Sequence, residues 1–181
     1  MFVSTEGLRE PHAPQILRAG REAANPTKGP RVNTTAPAGA KPANVATVEA
    51  IYEAFGRGDI PAVLGHLSED VSWEHWADSF AQRAGVPSLE PRAGRDGVAE
   101  FFALVGQFEI TEFAILDVLA SDAQVVAEVV IEASVPGGGR YRDEELHLWT
   151  FDDTGKVSRM RHYVDTAKHI AATRGEDTTA R

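Results

Sequence analysis

The segment at residues 45–76, VATVEAIYEAFGRGDIPAVLGHLSEDVSWEHW, constrains the fold more than any other part of the chain. In its first half, apolar residues recur at helical spacing up to the GRG sequence at 56–58, where glycine ends the helix because it adopts left-handed backbone angles at low cost. Asp59 is placed to cap a second short helix that tolerates Pro61 in its first turn. From Val71 the period becomes two, so the segment predicts two helices followed by a strand.

The chain beyond this segment reads mainly as strands. Residues 77–94 contain two prolines and two glycines without a sustained period, and they predict a long loop that covers a site. Asp96 is placed to cap a third helix, which ends near Gly106. Every second residue of 124–135 is apolar, the pattern of an antiparallel strand with one solvated face. Further strands are predicted at 108–119, 141–151 and 156–165, and a last helix at 166–173.

These elements predict an α+β fold in which three N-terminal helices pack on one face of a curved, mainly antiparallel sheet of four to six strands. The chain length of 181 residues supports one domain, which we place at 44–173. Residues 1–43 are rich in Pro, Gly, Ala and Thr and predict a disordered or extended tail. A mis-chosen translation start, an arm that packs on a partner and a transit-like extension are the alternatives for this tail. Residues 174–181 predict a polar C-terminal tail.

Charge and composition restrict the partners. Residues 44–181 carry a net charge of −12, which disfavours nucleic acid and anionic membranes, because both are polyanions that need a basic face. No cysteine is present, so disulfides and thiolate chemistry are excluded. No long apolar run or secretory signal pattern is visible, and we expect a cytoplasmic protein. A small hydrophobic molecule is the partner that this chain favours.

Strand parity predicts that histidines from three strands face the same concave surface. His75 lies in the first strand, His147 in the strand at 141–151, and His162 in the last strand. Histidine suits general base catalysis near neutral pH because its ordinary pKa is about 6.5. We therefore expect these three to line a pocket in which His75 or His147 moves a proton on a bound carbonyl compound. The predicted walls and neighbours of this pocket are Tyr52, Phe55, Trp73, Phe101, Glu145, Trp149 and Met160.

Each of these features also has a purely structural interpretation. Buried histidines are often hydrogen-bonded core groups, and Trp73 and Trp149 are typical core residues. Asp165 is a further candidate acid or base, but it also stands where it would cap the last helix. Three convergent histidines could hold zinc. No HxH or HExxH spacing supports a metal, so we expect none.

Four motifs, YEAFGRGD, LSEDVSWE, GRDGVAEFF and TFDDTGKVSRMRHYVDTA, occur in the order of the predicted elements. Together they resemble the nuclear transport factor 2-like superfamily, and within it the SnoaL-like polyketide cyclase and ketosteroid isomerase branch, over residues 44–173. The resemblance implies a cone whose curved sheet wraps a pocket closed by helices, and often a homodimer. Isomerases, cyclases, epoxide hydrolases, dehydratases and non-enzymes share this cone, so the fold does not fix the function.

Residue by residue, the resemblance does not carry over the isomerase groups. His75 stands where that enzyme has its Asp general base, and His147 where it has the protonated Asp of its oxyanion hole. Ile51 takes the position of the oxyanion Tyr, with Tyr52 one residue away. The epoxide hydrolase pattern is also incomplete, since its Arg-x-Asp pair has no match in VVAEVVIEAS and one of its aspartates falls on His162. Asp165 lies near the acid/base Asp of SnoaL-like cyclases.

The resulting hypothesis is a cofactor-free enzyme of SnoaL-like or isomerase-like kind that transfers a proton on a hydrophobic carbonyl compound. The alternatives are a non-catalytic module that binds a small molecule or mediates dimerisation, and an epoxide hydrolase-like hydrolase. An enzyme requires an acid or base with a shifted pKa in a reachable cavity, whereas a binding module does not.

Overall fold

The computed structural model describes residues 40–179. Most of the tail predicted at 1–43 lies outside the described residues, but its last four residues belong to the first helix. Five α-helices, six strands and one 3₁₀ turn occur in the described range. The helices are α1 (Ala40–Gly56), α2 (Ile60–Gly65), α3 (Phe80–Arg83), α4 (Gly94–Val105) and α5 (Thr166–Thr173), with the 3₁₀ turn at Pro87–Leu89. The strands are β1 (Leu67–Trp73), β2 (Arg92–Ala93), β3 (Glu109–Ala120), β4 (Gln124–Ser134), β5 (Arg140–Phe151) and β6 (Val157–Tyr163).

The strands form one curved sheet in the order β2-β1-β6-β5-β4-β3. All neighbours are antiparallel except β1 and β6, which run parallel. The α+β class and the mainly antiparallel sheet are therefore confirmed. Helices α1 and α4 contact the sheet, and buried apolar side chains from both join those of β1, β4, β5 and β6 in one core cluster. The site described below lies against this core.

Three helices ahead of the sheet are not confirmed, because β1, α3 and β2 all come before α4. The loop predicted at 77–94 contains α3, the 3₁₀ turn and β2. Asp96 does not cap α4: the capping position is Ala93, which offers no side-chain acceptor, and Asp96 lies in the first turn. An acidic residue in that turn is still favourable, because the N-terminal end of a helix carries partial positive charge.

Local chemistry accounts for the helix boundaries that the sequence did predict. Gly58 has a φ of 70°, as expected for the glycine that ends α1. The Asp59 carboxylate accepts a hydrogen bond from the Ala62 N–H at 3.1 Å and so caps α2. The last helix occupies the predicted range, and Asp165 caps it through the N–H groups of Ala167 and Lys168. In the described range, no helix has both the length and the apolarity needed to cross a membrane.

The polar segment after α5 contacts the sheet. The Thr178 N–H donates to the Arg140 carbonyl at 2.9 Å, and the Arg140 N–H donates to the Glu176 carbonyl at 3.0 Å. Gly139 precedes this contact, and a Cβ on it would lie 1.8 Å from the Ala172 carbonyl oxygen. Only glycine therefore lets the hairpin between β4 and β5 approach α5 this closely.

Candidate functional site

An apolar cavity lies between the sheet and the helices and holds about 690 Å³ of empty space, including its open mouth. Nine aromatic side chains line it. Residues from α1, α4, α5, β1, β5 and β6 all contribute, so the cavity is assembled from parts of the chain that are distant in sequence. An apolar lining with a few polar groups is typical of sites for small organic molecules. Its aromatic lining consists of Tyr52, Phe55, Trp73, Phe101, Phe102, Phe108, Phe113, Tyr141 and Trp149.

The structure brings nine of the eleven predicted site residues to this cavity, and two predicted catalytic residues lie elsewhere. His75 and Asp165 are both exposed and do not line the cavity. The placement of His75 beside His147 and His162 is therefore wrong. The roles of the nine in binding or catalysis stay predictions. They are Tyr52, Phe55, Trp73, Phe101, Glu145, His147, Trp149, Met160 and His162.

His75 lies outside because the alternation of β1 is broken at Glu74. The strand ends at Trp73, and Glu74 has a φ of 54°, the only positive φ of a non-glycine residue in the described range. This left-handed residue turns the chain, so that Glu74 is 0% exposed and His75 faces outward. Unfavourable backbone angles of this kind tend to occur at functional sites, where the surrounding contacts hold them. Strand parity could not predict this turn.

Glu74 and His162 form a hydrogen-bonded pair. One carboxylate oxygen of Glu74, Oε1, lies 2.6 Å from His162 Nδ1 and accepts the His162 backbone N–H at 2.7 Å. The other, Oε2, accepts the indole N–H of Trp76 at 2.9 Å. A carboxylate accepts hydrogen bonds, so in the neutral ring Nδ1 of His162 carries the proton and Nε2 keeps a free lone pair. Within residues 40–179, Nε2 has no hydrogen-bond partner.

A chain of hydrogen bonds holds His147 in place. Its Nε2 lies 3.3 Å from Glu145 Oε2, and its Nδ1 lies 2.8 Å from the Tyr52 hydroxyl oxygen. Tyr52 in turn accepts the Trp149 indole N–H at 3.2 Å. Burial raises the pKa of Tyr52, so the hydroxyl keeps its proton and donates it to His147 Nδ1. Both nitrogens of His147 are therefore occupied.

His147 is neutral in this arrangement. Burial and the nearby His162 lower the pKa of His147, and together they outweigh the attraction of Glu145. The rings of His147 and His162 stand nearly perpendicular with centroids 4.4 Å apart. Of the two histidines, His162 is thus the one with a nitrogen available to a ligand.

A compact cluster of charges lies at the end of the cavity formed by β5 and α5. His169 Nε2 lies 3.1 Å from Glu145 Oε1 and 3.4 Å from Asp143 Oδ2, and Lys168 Nζ lies 3.3 Å from Asp143 Oδ1. Asp143 also accepts the Asp165 backbone N–H at 2.7 Å. His169, Glu145 and Asp143 are buried. We call these four side chains, Asp143, Glu145, Lys168 and His169, the charge cluster.

Mutual attraction fixes the protonation of this cluster. Burial alone would lower the pKa of His169, but Asp143 and Glu145 raise it to about 9. Burial would raise the pKa of Glu145, yet the hydrogen bonds from His147 and His169 hold it well below its usual range. The pKa of Asp143 is likewise lowered, because His169 and the Asp165 N–H outweigh burial. At neutral pH the cluster holds two carboxylates, one imidazolium and one ammonium, with no net charge.

The charge cluster includes a possible metal-ligand set. One ligand atom each from Asp143, Glu145 and His169 lies within 4.8 Å of the others. A metal there would have to displace the proton of His169 and lie near the ammonium of Lys168, so the group is better described as an ion cluster that is balanced internally. The three-histidine zinc set considered from the sequence is not assembled, because His75 lies outside.

The sequence interpretation missed two polar residues of the site, Glu74 and His169. Strand parity puts Glu74 on the face opposite His75, and no local signal marks the left-handed turn. His169 lies in the predicted last helix beside buried Ile170 and Ala172, so the apolar face of that helix could have indicated that His169 points inward.

A second, more polar pocket adjoins the first and shares His162 and Leu89 with it. Glu74, Ser79 and Thr166 are among its lining residues. It holds about 600 Å³ of empty space, including its open mouth, which is ample room for several water molecules. The pair of Glu74 and His162 thus stands at the boundary between an apolar and a polar compartment.

A model of the SnoaL-like domain matches residues 48–160, more than half of the chain, and the protein belongs to the SnoaL-like domain family. The sequence-based resemblance to the nuclear transport factor 2-like superfamily is thereby confirmed. No curated protein matches the chain.

Solved structures of the same superfamily share the fold. An NTF2-like protein from Burkholderia xenovorans LB400 is 22% identical with a TM-score of 0.63, over 74% of this chain and 97% of that one. An NTF2-like protein of unknown function from Burkholderia pseudomallei K96243 is 27% identical with a TM-score of 0.61, over 72% and 96%. TerC, crystallised with polyporic acid, is 25% identical with a TM-score of 0.57, over 69% and 93%.

Proposed function

We propose that this protein is a cofactor-independent enzyme that removes a proton from the carbon next to a carbonyl group of a hydrophobic small molecule. Its reaction class is isomerisation, cyclisation or elimination. The observation that carries the proposal is the pair of Glu74 and His162, a hydrogen-bonded carboxylate and imidazole at the wall of an apolar cavity. TerC supports the class of ligand, because a small molecule, polyporic acid, was crystallised with it.

His162 has the role of general base. Its Nε2 takes the proton, while the Nδ1 proton stays hydrogen-bonded to Glu74, whose negative charge stabilises the imidazolium that forms. Phe101 stacks on the imidazole with ring centroids 5.8 Å apart and fixes its plane. His147 does not share this role, because both its nitrogens are occupied. It holds Tyr52 and Glu145 in place through its two hydrogen bonds.

The apolar lining serves the same chemistry. A carbon acid is deprotonated with difficulty in water, and a site that excludes water strengthens the electrostatic effect of the few polar groups that remain. Tyr52, Trp73, Trp149 and the phenylalanines provide such surroundings. The competing function, sequestration of an apolar ligand without reaction, requires the cavity but not a positioned carboxylate beside a free imidazole nitrogen.

A bicyclic ketone with acidic α-protons, 2-tetralone, tests the proposal. In D₂O the wild-type protein is expected to exchange its α-protons for deuterium faster than buffer containing free imidazole at the same concentration. Proton NMR of the ketone measures the rate. The variant His66→Gln, which alters a histidine that does not line the cavity, should retain the full rate. Exchange no faster than in the imidazole solution would contradict the proposal and favour a binding module.

A homodimer is also proposed, as the family resemblance implies. Five apolar side chains of β3, β5 and β6 are between 41% and 65% exposed, and Leu146 and Tyr163 are direct neighbours on adjacent strands. Apolar surface of this kind supports association between copies. The five residues are Ile115, Leu116, Leu119, Leu146 and Tyr163.

The cytoplasmic location stays a prediction.

A further inference from the structure

The Tyr141 hydroxyl is a buried polar group without a partner among the described residues. Tyr141 is 4% exposed, and its hydroxyl makes no hydrogen bond within residues 40–179. Two side-chain atoms of that range, Ser68 Oγ and Trp73 Nε1, are both unpaired and sealed from solvent. The Tyr141 hydroxyl is not one of them, so the small exposure of this residue includes its oxygen. A small molecule can therefore reach it.

This hydroxyl faces the space where two pockets meet. A third pocket adjoins the apolar cavity at the start of β5, and Ser88, Phe108, Tyr141 and His169 line both. Ser88 is only half-buried, so water can satisfy its hydroxyl. The Tyr141 ring packs on His169, with centroids 4.3 Å apart, and on buried alanines of β4 and α5. The Tyr141 hydroxyl thus has a fixed position in the cavity wall.

The charges near Tyr141 define what its hydroxyl can bind. Each oxygen of Asp143 and Glu145, the nearest carboxylates along β5, is already hydrogen-bonded to another group. Burial raises the pKa of Tyr141, and Glu145 and Asp143 raise it further, so the hydroxyl keeps its proton at neutral pH. The same negative charges disfavour an anion beside it. The hydroxyl is therefore a free donor that suits an uncharged oxygen acceptor.

Tyr141 lies far from the proposed base. Tyr141 and His147 are six positions apart on β5, which is about 20 Å at the usual rise of a strand. His147 is paired with His162 on β6. Even with the Tyr141 and His162 side chains directed at each other, a single carbonyl group does not span the distance that remains. The acceptor at Tyr141 is thus a second oxygen, separate from the carbonyl group next to the carbon that His162 deprotonates.

We propose that the Tyr141 hydroxyl donates a hydrogen bond to an uncharged oxygen of the ligand, at the end of the cavity opposite His162. The inference rests on the proposed function for the occupant of the cavity and adds a second recognition point to it. The ligand is then an apolar molecule with two polar groups. Its acidic C–H faces His162, and a separate hydroxyl, ether or carbonyl oxygen binds Tyr141. The site selects against molecules that are apolar or anionic at this end.

Two ligands of the same shape test the contact in isolation. Fluorenone and fluorene have the same three rings, and only fluorenone has an oxygen acceptor. The carbons next to its carbonyl carry no hydrogen, so fluorenone cannot undergo the proposed reaction and reports binding alone. Equilibrium dialysis measures the affinity of both for wild-type protein and for Tyr141→Phe, which removes only the hydroxyl. The preference for fluorenone over fluorene is expected to fall about tenfold in the variant, the contribution of one hydrogen bond.

Tyr163→Phe is the matched control, because it removes the hydroxyl of an exposed tyrosine that does not line the cavity. It should keep the full preference for fluorenone. In wild-type protein, the NMR signal of the Tyr141 ring carbon that bears the hydroxyl should shift more with fluorenone than with fluorene. The anion fluorene-9-carboxylate should bind wild-type protein more weakly than fluorenone.

Three results would overturn the inference. An equal preference in wild-type protein and Tyr141→Phe would show that water, and not a ligand, satisfies the hydroxyl. Failure of wild-type protein to bind fluorenone at its solubility limit would leave the contact without an occupant. Tighter binding of the carboxylate than of fluorenone would contradict the uncharged class of ligand.

The binding data and the exchange assay separate the two proposals. If the preference for fluorenone depends on Tyr141 but wild-type protein exchanges no α-protons of 2-tetralone, the proposed reaction is wrong and the contact stands. If exchange is fast but the preference does not depend on Tyr141, the contact alone is wrong.

Discussion

Replacement of His162 by glutamine is expected to lower the rate of α-proton exchange of 2-tetralone by about 100- to 10,000-fold, the range that a positioned general base contributes. Glutamine keeps a polar side chain at this position, but its amide is not basic and cannot take a proton from carbon. Initial rates of deuterium incorporation, followed by NMR at saturating ketone, measure the effect. His66→Gln makes the same chemical change outside the cavity and should leave the rate unaltered.

Glu74→Gln separates positioning from proton transfer. The amide of glutamine can donate to His162 Nδ1, which moves the imidazole proton to Nε2 and removes the lone pair of that nitrogen. The rate should therefore fall by about 100-fold or more although His162 is present. Nitrogen-15 chemical shifts of His162 should show the change of tautomer, which a purely structural role for Glu74 would not produce. An unchanged tautomer together with an unchanged rate would refute the role of this pair.

Replacement of His169 by glutamine is expected to destabilise the protein by about 3–5 kcal/mol near pH 6.5, the usual cost of removing one partner from a buried ion pair. The variant leaves Asp143 and Glu145 with less positive charge around them, while both stay buried. Urea unfolding followed by circular dichroism measures the difference in the free energy of unfolding.

The destabilisation should depend on pH in a defined direction. The pKa of His169 is about 9 in the folded protein and about 6.5 in the unfolded chain, so folding favours its protonated form. Its stabilising contribution is fully present below pH ~6.5 and is lost as the pH rises through about 9. The difference between wild-type protein and His169→Gln should therefore shrink between pH 6.5 and 10.

A matched histidine provides the control for this experiment. Burial lowers the pKa of His66, and Lys156 lowers it further, so His66 favours its neutral form in the folded state. Any pH dependence of His66→Gln should then appear below pH ~6.5 and not in the alkaline range. A difference between wild-type protein and His169→Gln that is equally large at pH 6.5 and pH 10 would show that the charge cluster does not stabilise the fold as described.

Much of the fold is predictable from local patterns. The alternation in 124–135 and the turns that flank it place β4 and β5 within one or two residues of their positions in the structure. The caps at Asp59 and Asp165 follow from one side chain and the backbone N–H groups next to it. The order of helices and strands between β1 and α4 was less predictable, because α3, the 3₁₀ turn and β2 are each too short to show a period.

The candidate site was predictable only where strand parity holds. Parity places Glu145, His147, Trp149, Met160 and His162 correctly, since β5 and β6 run without interruption through these positions. It fails at Glu74, because the left-handed backbone of this residue turns Glu74 inward and His75 outward, the reverse of what strand parity predicts. Parity also cannot show which nitrogen of a histidine is already bonded. That depends on Tyr52 and Glu145, whose contacts with His147 join residues up to 95 positions apart in the chain.

His162 lines both the apolar cavity and the polar pocket, and this position has a consequence for isotopic labels. While His162 holds a proton taken from carbon, hydrogen can be replaced from water on the polar side before it is given back. An isomerisation at this site would then transfer only part of a deuterium label from one carbon to another, and the remainder would appear in the solvent. How faithfully the label is returned depends on the lifetime of the imidazolium relative to its contact with water.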